Sequence, residues 1–130
     1  MARRMSCALT TQAVRAQIKT VTRRHIDTWK TLRAGDHLTL IEQGMGLKKG
    51  EKQVVMAEVK VVSVRDEPIT LMSSDVRYGR QEMASEGFDP WDMDPHEWVE
   101  WWCRSHGERL LDIDGLPRRV MCRRIEWRYL

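Results

Sequence analysis

Between Gln53 and Arg65 the chain carries Val54, Val55, Val59, Val61, Val62 and Val64, its densest run of strand-forming positions. β-Branched residues at both odd and even places predict a long strand at least partly covered on both faces, as in a small closed barrel with a helix against its outside. Pro68 ends the run, and Ile69-Thr70-Leu71 begins a crossover. Ser73 or Ser74 then caps a helix from about Asp75 to Ala84 that stops at Gly87. A second helix is marked by Asp94-Pro95-His96-Glu97, which joins a capping aspartate, a first-turn proline and a glutamate three residues after the cap. Trp98, Trp101, Trp102 and Ser105 share a face of it, and the helix stops near Gly107. Such a face either docks on a barrel or offers aromatic rings to bases, and the spacing of three and four favours docking. After the loop from Gly107 to Pro117, Val120 to Leu130 reads as a closing strand, with Ile125, Trp127 and Tyr129 on one face and Glu126 and Arg128 on the other.

The first half is less regular. Met5 to Leu9 is a candidate short strand, and Thr10 or Thr11 caps a short helix through Gln17 whose Ala13, Val14 and Ile18 form one apolar stripe. Two turns of helix need the barrel to hold them. His25 to Leu32 reads as a loop with Trp29 packed inward, and Leu32-Arg33-Ala34-Gly35-Asp36 as the turn into a strand from His37 to Glu42. Gly44 to Gly50 is a hairpin tip carrying Lys48 and Lys49. It lacks the Gly-Lys-Ser or Gly-Lys-Thr of a phosphate-binding loop.

With 130 residues, 42% hydrophobic and 32% charged, the chain suits one globular domain spanning 1–130 with its own core. A net charge of +3 is small, so placement matters more than the sum. Arg3, Arg4, Arg15, Lys19, Arg23 and Arg24 crowd the first quarter, Lys48, Lys49 and Lys52 follow, and Arg118, Arg119, Arg123, Arg124 and Arg128 close the chain. Bringing both ends side by side would concentrate positive field where a polyanion can bind, whereas dispersed arginines would only solvate the surface. Cys7, Cys103 and Cys122 show no paired spacing, so a reducing, cytoplasmic setting is expected, without disulfides. No apolar run is long enough to span a membrane, and Met1-Ala2-Arg3-Arg4 leads into no signal-peptide core.

Ile18-Lys19-Thr20-Val21-Thr22-Arg23-Arg24 holds three cations and two hydroxyls, alternating with apolar Ile18 and Val21 in a way that suits an extended segment. A regular strand would point Lys19, Val21 and Arg23 one way and Thr20, Thr22 and Arg24 the other, so a turn must intervene if Lys19 and Thr22 are to meet. The segment is either a solvated edge strand or an anion and nucleic-acid site.

Lys19, Thr22 and Arg24 have the spacing of the Gly-x-Lys-x-x-Thr-x-Arg signature of the ASCH domain, with Gln17 at the place of the glycine. The chain resembles that family through Leu32 to Asp36, the valine-rich strand, Ala84-Ser85-Glu86-Gly87-Phe88 and Arg124 to Leu130. The resemblance implies an α+β domain, a small and mostly antiparallel PUA-like β-barrel with two to three packed helices, that binds RNA or a modified nucleoside. It also implies amidohydrolase chemistry on N4-acetylcytidine by Lys19, Thr22 and Glu86, with Glu82 as the competing carboxylate. A non-catalytic RNA-binding module and a ribonuclease are the alternatives.

Such hydrolysis needs a group to take a proton and a donor to hold the oxyanion; Lys19 suits either the activation of Thr22 or the oxyanion, and Glu86 a proton shuttle. Alternatively Lys19 and Glu86 are an ion pair on a binding cleft. Arg23, Arg24, Lys48 and Lys49 are expected to bind the nucleic acid or substrate. His96, Cys103 and His106 lack the close spacing of a zinc site, so no metal or other cofactor is expected, and no cysteine is paired with a histidine by spacing.

Overall fold

The computed structural model describes residues 3–130, and Met1 and Ala2 lie outside it. Strands β1 (Arg3–Ser6), β2 (Val21–His25), β3 (His37–Ile41), β4 (Val55–Pro68) and β5 (Met121–Tyr129) form one sheet in the order β1-β3-β4-β5-β2. Among the described residues only the β1 and β3 pair is parallel. Helices α1 (Thr11–Arg15), α2 (Leu71–Ser74), α3 (Val76–Ser85) and α4 (Pro95–Ser105) complete an α+β fold with one helix more than the sequence pattern shows. The extra one arises because Asp75, not Ser73 or Ser74, caps the longer helix. Its side chain accepts from the Tyr78 amide at 3.1 Å, in an extended conformation that separates α2 from α3. In α4 the Asp94 side chain accepts from the Glu97 amide at 2.9 Å, with Pro95 in the first turn.

Strand β5 divides the molecule into two apolar cores because its side chains alternate between them. Ile125 and Trp127 join Met5, Leu38, Leu40, Val59 and Val61 inside the curled sheet. Cys122 faces the other way, onto Ile69, Met72, Met83, Trp98, Val99 and Trp102 of the helical layer. The valine run of β4 is broken in register between Val61 and Ser63, which leaves Val62 as the extra residue of a bulge and 47% exposed. Val55 is 46% exposed, so the outer face of this strand is only half covered there.

The barrel expected to be closed is a curled sheet with two free edges, β1 and β2. Between them a side chain replaces the missing ladder: Arg24 Nη2 donates to the Ser6 carbonyl at 2.7 Å. Among the described residues no helix is long and apolar enough to cross a membrane.

The turn ahead of β2 forms without glycine. Gln17 adopts φ 60 just past α1, its amide donating to the Val14 carbonyl at 2.9 Å and the Ile18 amide to the Ala13 carbonyl at 2.8 Å. This pair of bonds is the Schellman closure of a helix, which swings Lys19 away from the α1 axis. A side chain at this backbone angle is strained, and the Gln17 side chain is exposed. Gln17→Gly is therefore expected to raise stability by about 1 kcal/mol, after allowance for the greater freedom of glycine in the unfolded chain. Thermal unfolding checks it, and a variant melting at or below the wild-type temperature would refute the strain.

Candidate functional site

The gap between the sheet edges holds a cavity of about 230 Å³ lined by Ser6 to Thr10, by Lys19, Thr22, Arg23 and Arg24, by Glu86, and by Phe88, Trp98, Trp101, Trp102 and His106. Lys19 enters from the turn before β2, where backbone contacts fix it from two sides. Its carbonyl accepts from Trp127 Nε1 at 3.0 Å and from the Tyr129 hydroxyl at 2.5 Å, while the Thr20 amide donates to the Ser85 carbonyl at 2.8 Å. Glu86 follows α3 directly. Gly87, at φ 95, lets its chain close on α1, since a Cβ there would stand 2.7 Å from the Ala13 Cβ.

Lys19 and Glu86 are both buried, at 3% exposure each. The Lys19 ammonium donates to the Glu86 carbonyl at 2.6 Å and to its Oε1 at 3.3 Å, using two of its three N–H bonds. Thr22 Oγ1 accepts from Arg24 Nε at 3.3 Å. Lys19, Thr22, Glu86 and Arg24 thus share one cavity, although no hydrogen bond joins Thr22 to Lys19 or Glu86 among the described residues. Lys48 and Lys49 lie on the exposed loop between β3 and β4 and do not line it.

Arg23 occupies a different position from the other signature cations. On β2 it shares a face with buried Val21, and its side chain is wholly buried. Its Nη1 donates to Glu86 Oε2 at 3.1 Å, and its Nη2 to Glu67 Oε1 at 2.6 Å and Glu82 Oε1 at 2.5 Å. Arg124, its cross-strand neighbour on β5, donates through Nε to Glu82 Oε1 at 2.5 Å. Three buried cations, Lys19, Arg23 and Arg124, therefore meet three buried carboxylates, Glu67, Glu82 and Glu86.

Burial opposes the charge on Glu82, but hydrogen bonds from Arg124 and the charge and hydrogen bonds of Arg23 prevail and hold its carboxyl down at about 2. Burial likewise opposes the charge on Arg23, and Glu86 and Glu82 overcome it and push its pKa up. Of the two candidate carboxylates, Glu86 lines the cavity and Glu82 is turned onto the two arginines.

The aromatic wall is part of the helical core and part of the cavity at once. Trp98 and Trp102 are 1% exposed, and Phe88 meets Trp98 edge-on at 5.8 Å and Trp101 at 5.3 Å. Trp102 Nε1 donates to the Arg23 carbonyl at 3.1 Å, whereas Trp98 Nε1 is buried without a partner among the described residues. His96 pairs with Glu100 at 3.0 Å on the exposed side of α4, Cys103 is buried in the helical core, and His106 lines the cavity. Burial raises the thiol pKa of Cys7, Cys103 and Cys122, the last to about 12, so all three stay protonated at neutral pH.

Thr10, Phe88 and His106 are cavity residues that the sequence reading did not select. A signal for the buried cluster was present: Arg23 lies two residues from apolar Val21, on the same strand face, and Glu82 and Glu86 lie four apart on one helix face.

A curled mixed sheet with a cavity between its edges and helices over one face is an ASCH-like fold of the PUA type. Three solved structures, all with low sequence identity, share it. One is an ASCH domain from Lactobacillus crispatus JV V101, 12% identical with a TM-score of 0.56 over 98% of this chain and 79% of that one. Another is protein EF3133 from Enterococcus faecalis V583, of the family DUF984, 14% identical with a TM-score of 0.58. This chain aligns over 92% of its length and spans 66% of that protein, just under two thirds. Hypothetical protein PH0355 is 17% identical with a TM-score of 0.53 over the whole of both chains. No protein-family model matches the chain, and no curated protein is significantly similar to it.

Proposed function

We propose that the chain binds a single nucleobase, presented by RNA or carried by a modified nucleoside, in the cavity between β1 and β2. A second step of the reading is that an N4-acylated cytidine held there is hydrolysed to cytidine and the free acid. The observation that carries both is the convergence of Lys19, Thr22, Arg24 and Glu86 under a wall of aromatic rings. Flat rings against a polar floor suit an unstacked base, which stacks on aromatic side chains while donors read its edge. At about 230 Å³ the cavity is smaller than the ~300–1,000 Å³ of most small-molecule pockets. That size fits one base better than an extended ligand.

In hydrolysis, water adds to the acyl carbon and the carbonyl oxygen becomes an oxyanion held by the Lys19 ammonium. Glu86 takes the proton of the attacking water and passes it to the departing N4 nitrogen as the C–N bond breaks. Thr22 orients the water through its hydroxyl. A pure binding module is favoured instead by the ion pairing itself, since among the described residues both Glu86 carboxylate oxygens already receive hydrogen bonds, from Lys19 and Arg23.

Calorimetric titration with N4-acetylcytidine, cytidine and a short single-stranded RNA, with chromatography of the products, decides between them. Binding with release of cytidine is the expected result. Binding without turnover leaves the module, and no binding to any of the three would end the nucleobase reading.

A further inference from the structure

His106 is a cavity group whose tautomer is fixed by its hydrogen bonding. It follows α4 as its C-terminal cap, and its Nδ1 lies 2.8 Å from the carbonyl of Trp102 one turn back. A carbonyl only accepts, so Nδ1 carries the hydrogen. In the neutral ring the lone pair is then on Nε2. The imidazole is stacked on Trp102 at 4.0 Å with 17° between planes, which holds the ring in that orientation.

Neighbouring acceptors are already engaged. Both Glu86 carboxylate oxygens receive hydrogen bonds, from Lys19 and Arg23, and Thr22 Oγ1 and the Ser6 carbonyl receive theirs from Arg24. Nε2 of His106 has no partner among the described residues.

We propose that Nε2 of His106 accepts a hydrogen bond from an N–H of the bound ligand, so that the cavity selects a secondary amide, with its carbonyl toward Lys19 and its N–H toward His106. This rests on the nucleobase reading above and narrows it to N-acylated bases. Unmodified cytidine offers an amino group but no acyl oxygen for the ammonium.

Burial keeps the ring neutral, lowering its pKa from the ordinary 6.5. The Trp102 carbonyl opposes that shift, the charges of Arg24 and His25 add to it, and Glu86 opposes it. His25 is itself paired with Glu108 at 2.7 Å, from the loop after α4. As pH falls through the lowered pKa, Nε2 gains a hydrogen and can no longer accept, so affinity falls on the acid side and is constant above it.

The test is calorimetric binding of N4-acetylcytidine between about pH 5 and 8 to the wild type, His106→Phe and His106→Gln. Phenylalanine keeps a ring over Trp102 and removes the acceptor, and is expected to weaken binding about tenfold or more at neutral pH. Glutamine offers a carbonyl oxygen that does not titrate, and is expected to restore most of the affinity with a flat acid limb. Phenylalanine binding within about twofold of wild type, or an acid limb that persists in the glutamine variant, overturns the assignment alone. A wild type that binds neither nucleoside nor RNA overturns the nucleobase reading and this assignment together.

Discussion

Arg23→Met is expected to lower the unfolding free energy by about 3–5 kcal/mol, seen as a lower urea midpoint at neutral pH. Methionine nearly fills the space of the arginine stem, so packing alone costs little. What is lost is the guanidinium that Glu67, Glu82 and Glu86 share in a region closed to water. Glu82 keeps Arg124 and Glu86 keeps Lys19, but among the described residues Glu67 is left with the neutral Tyr78 hydroxyl at 3.0 Å and, as its cation, Arg65 at 3.4 Å, whose side chain is half exposed. Removing one partner from a buried cluster leaves uncompensated charge, which costs more than the cluster contributes when intact.

The pH dependence gives an internal control. Glu82 titrates at about 2 in the folded protein against its ordinary 4.5, so the stability from its ionised form is complete above about 4.5 and is lost as pH falls toward 2. In the variant Glu82 loses the Arg23 part of what holds its carboxyl down, so less of this stability is there to be lost and the deficit is expected to shrink as pH falls from about 4.5 toward 2. A midpoint equal to wild type at neutral pH would show that the cluster does not hold the fold together.

Under the hydrolysis proposed above, Lys19→Met is expected to reduce turnover of N4-acetylcytidine by about 10²–10³ with the fold retained, the range for loss of one oxyanion donor. The fold survives because Arg23 still satisfies Glu86 Oε2 and because the Lys19 backbone is fixed by Trp127 and Tyr129, which the substitution does not touch. Circular dichroism checks the fold and product chromatography the rate. Turnover within a few-fold of wild type would remove the ammonium from the chemistry, and a variant that binds oligonucleotide normally would separate recognition from catalysis.

Much of the architecture is legible in residue order. The β4 and β5 strands follow from side-chain alternation, and the start of α4 from Asp94, Pro95 and Glu97, because these depend on neighbours a few positions away. The split between α2 and α3 is harder to see, since Ser73, Ser74 and Asp75 are all good caps and the choice depends on how α3 packs against α4. Gln17 is harder still: a glycine would announce the turn, while glutamine takes the same backbone angle only because the helix closure and the β2 contacts require it.

Along the chain Lys19 and Thr22 read as catalytic candidates, and Arg23 and Arg24 as a like pair of binding cations. Their fates diverge in three dimensions, with Arg23 under the helices and Arg24 at the cavity between the sheet edges. By itself the sequence determined the strands, the capped tryptophan helix and the presence of a Lys-x-x-Thr-x-Arg segment, all set by local spacing. Only the tertiary structure decided which cation is buried, which glutamate faces the cavity, and that the sheet stays open where the cavity lies. Those outcomes depend on contacts across 44 to 67 residues, as in Arg23 with Glu67 and Lys19 with Glu86, where burial and charge pairing have no counterpart in the local pattern.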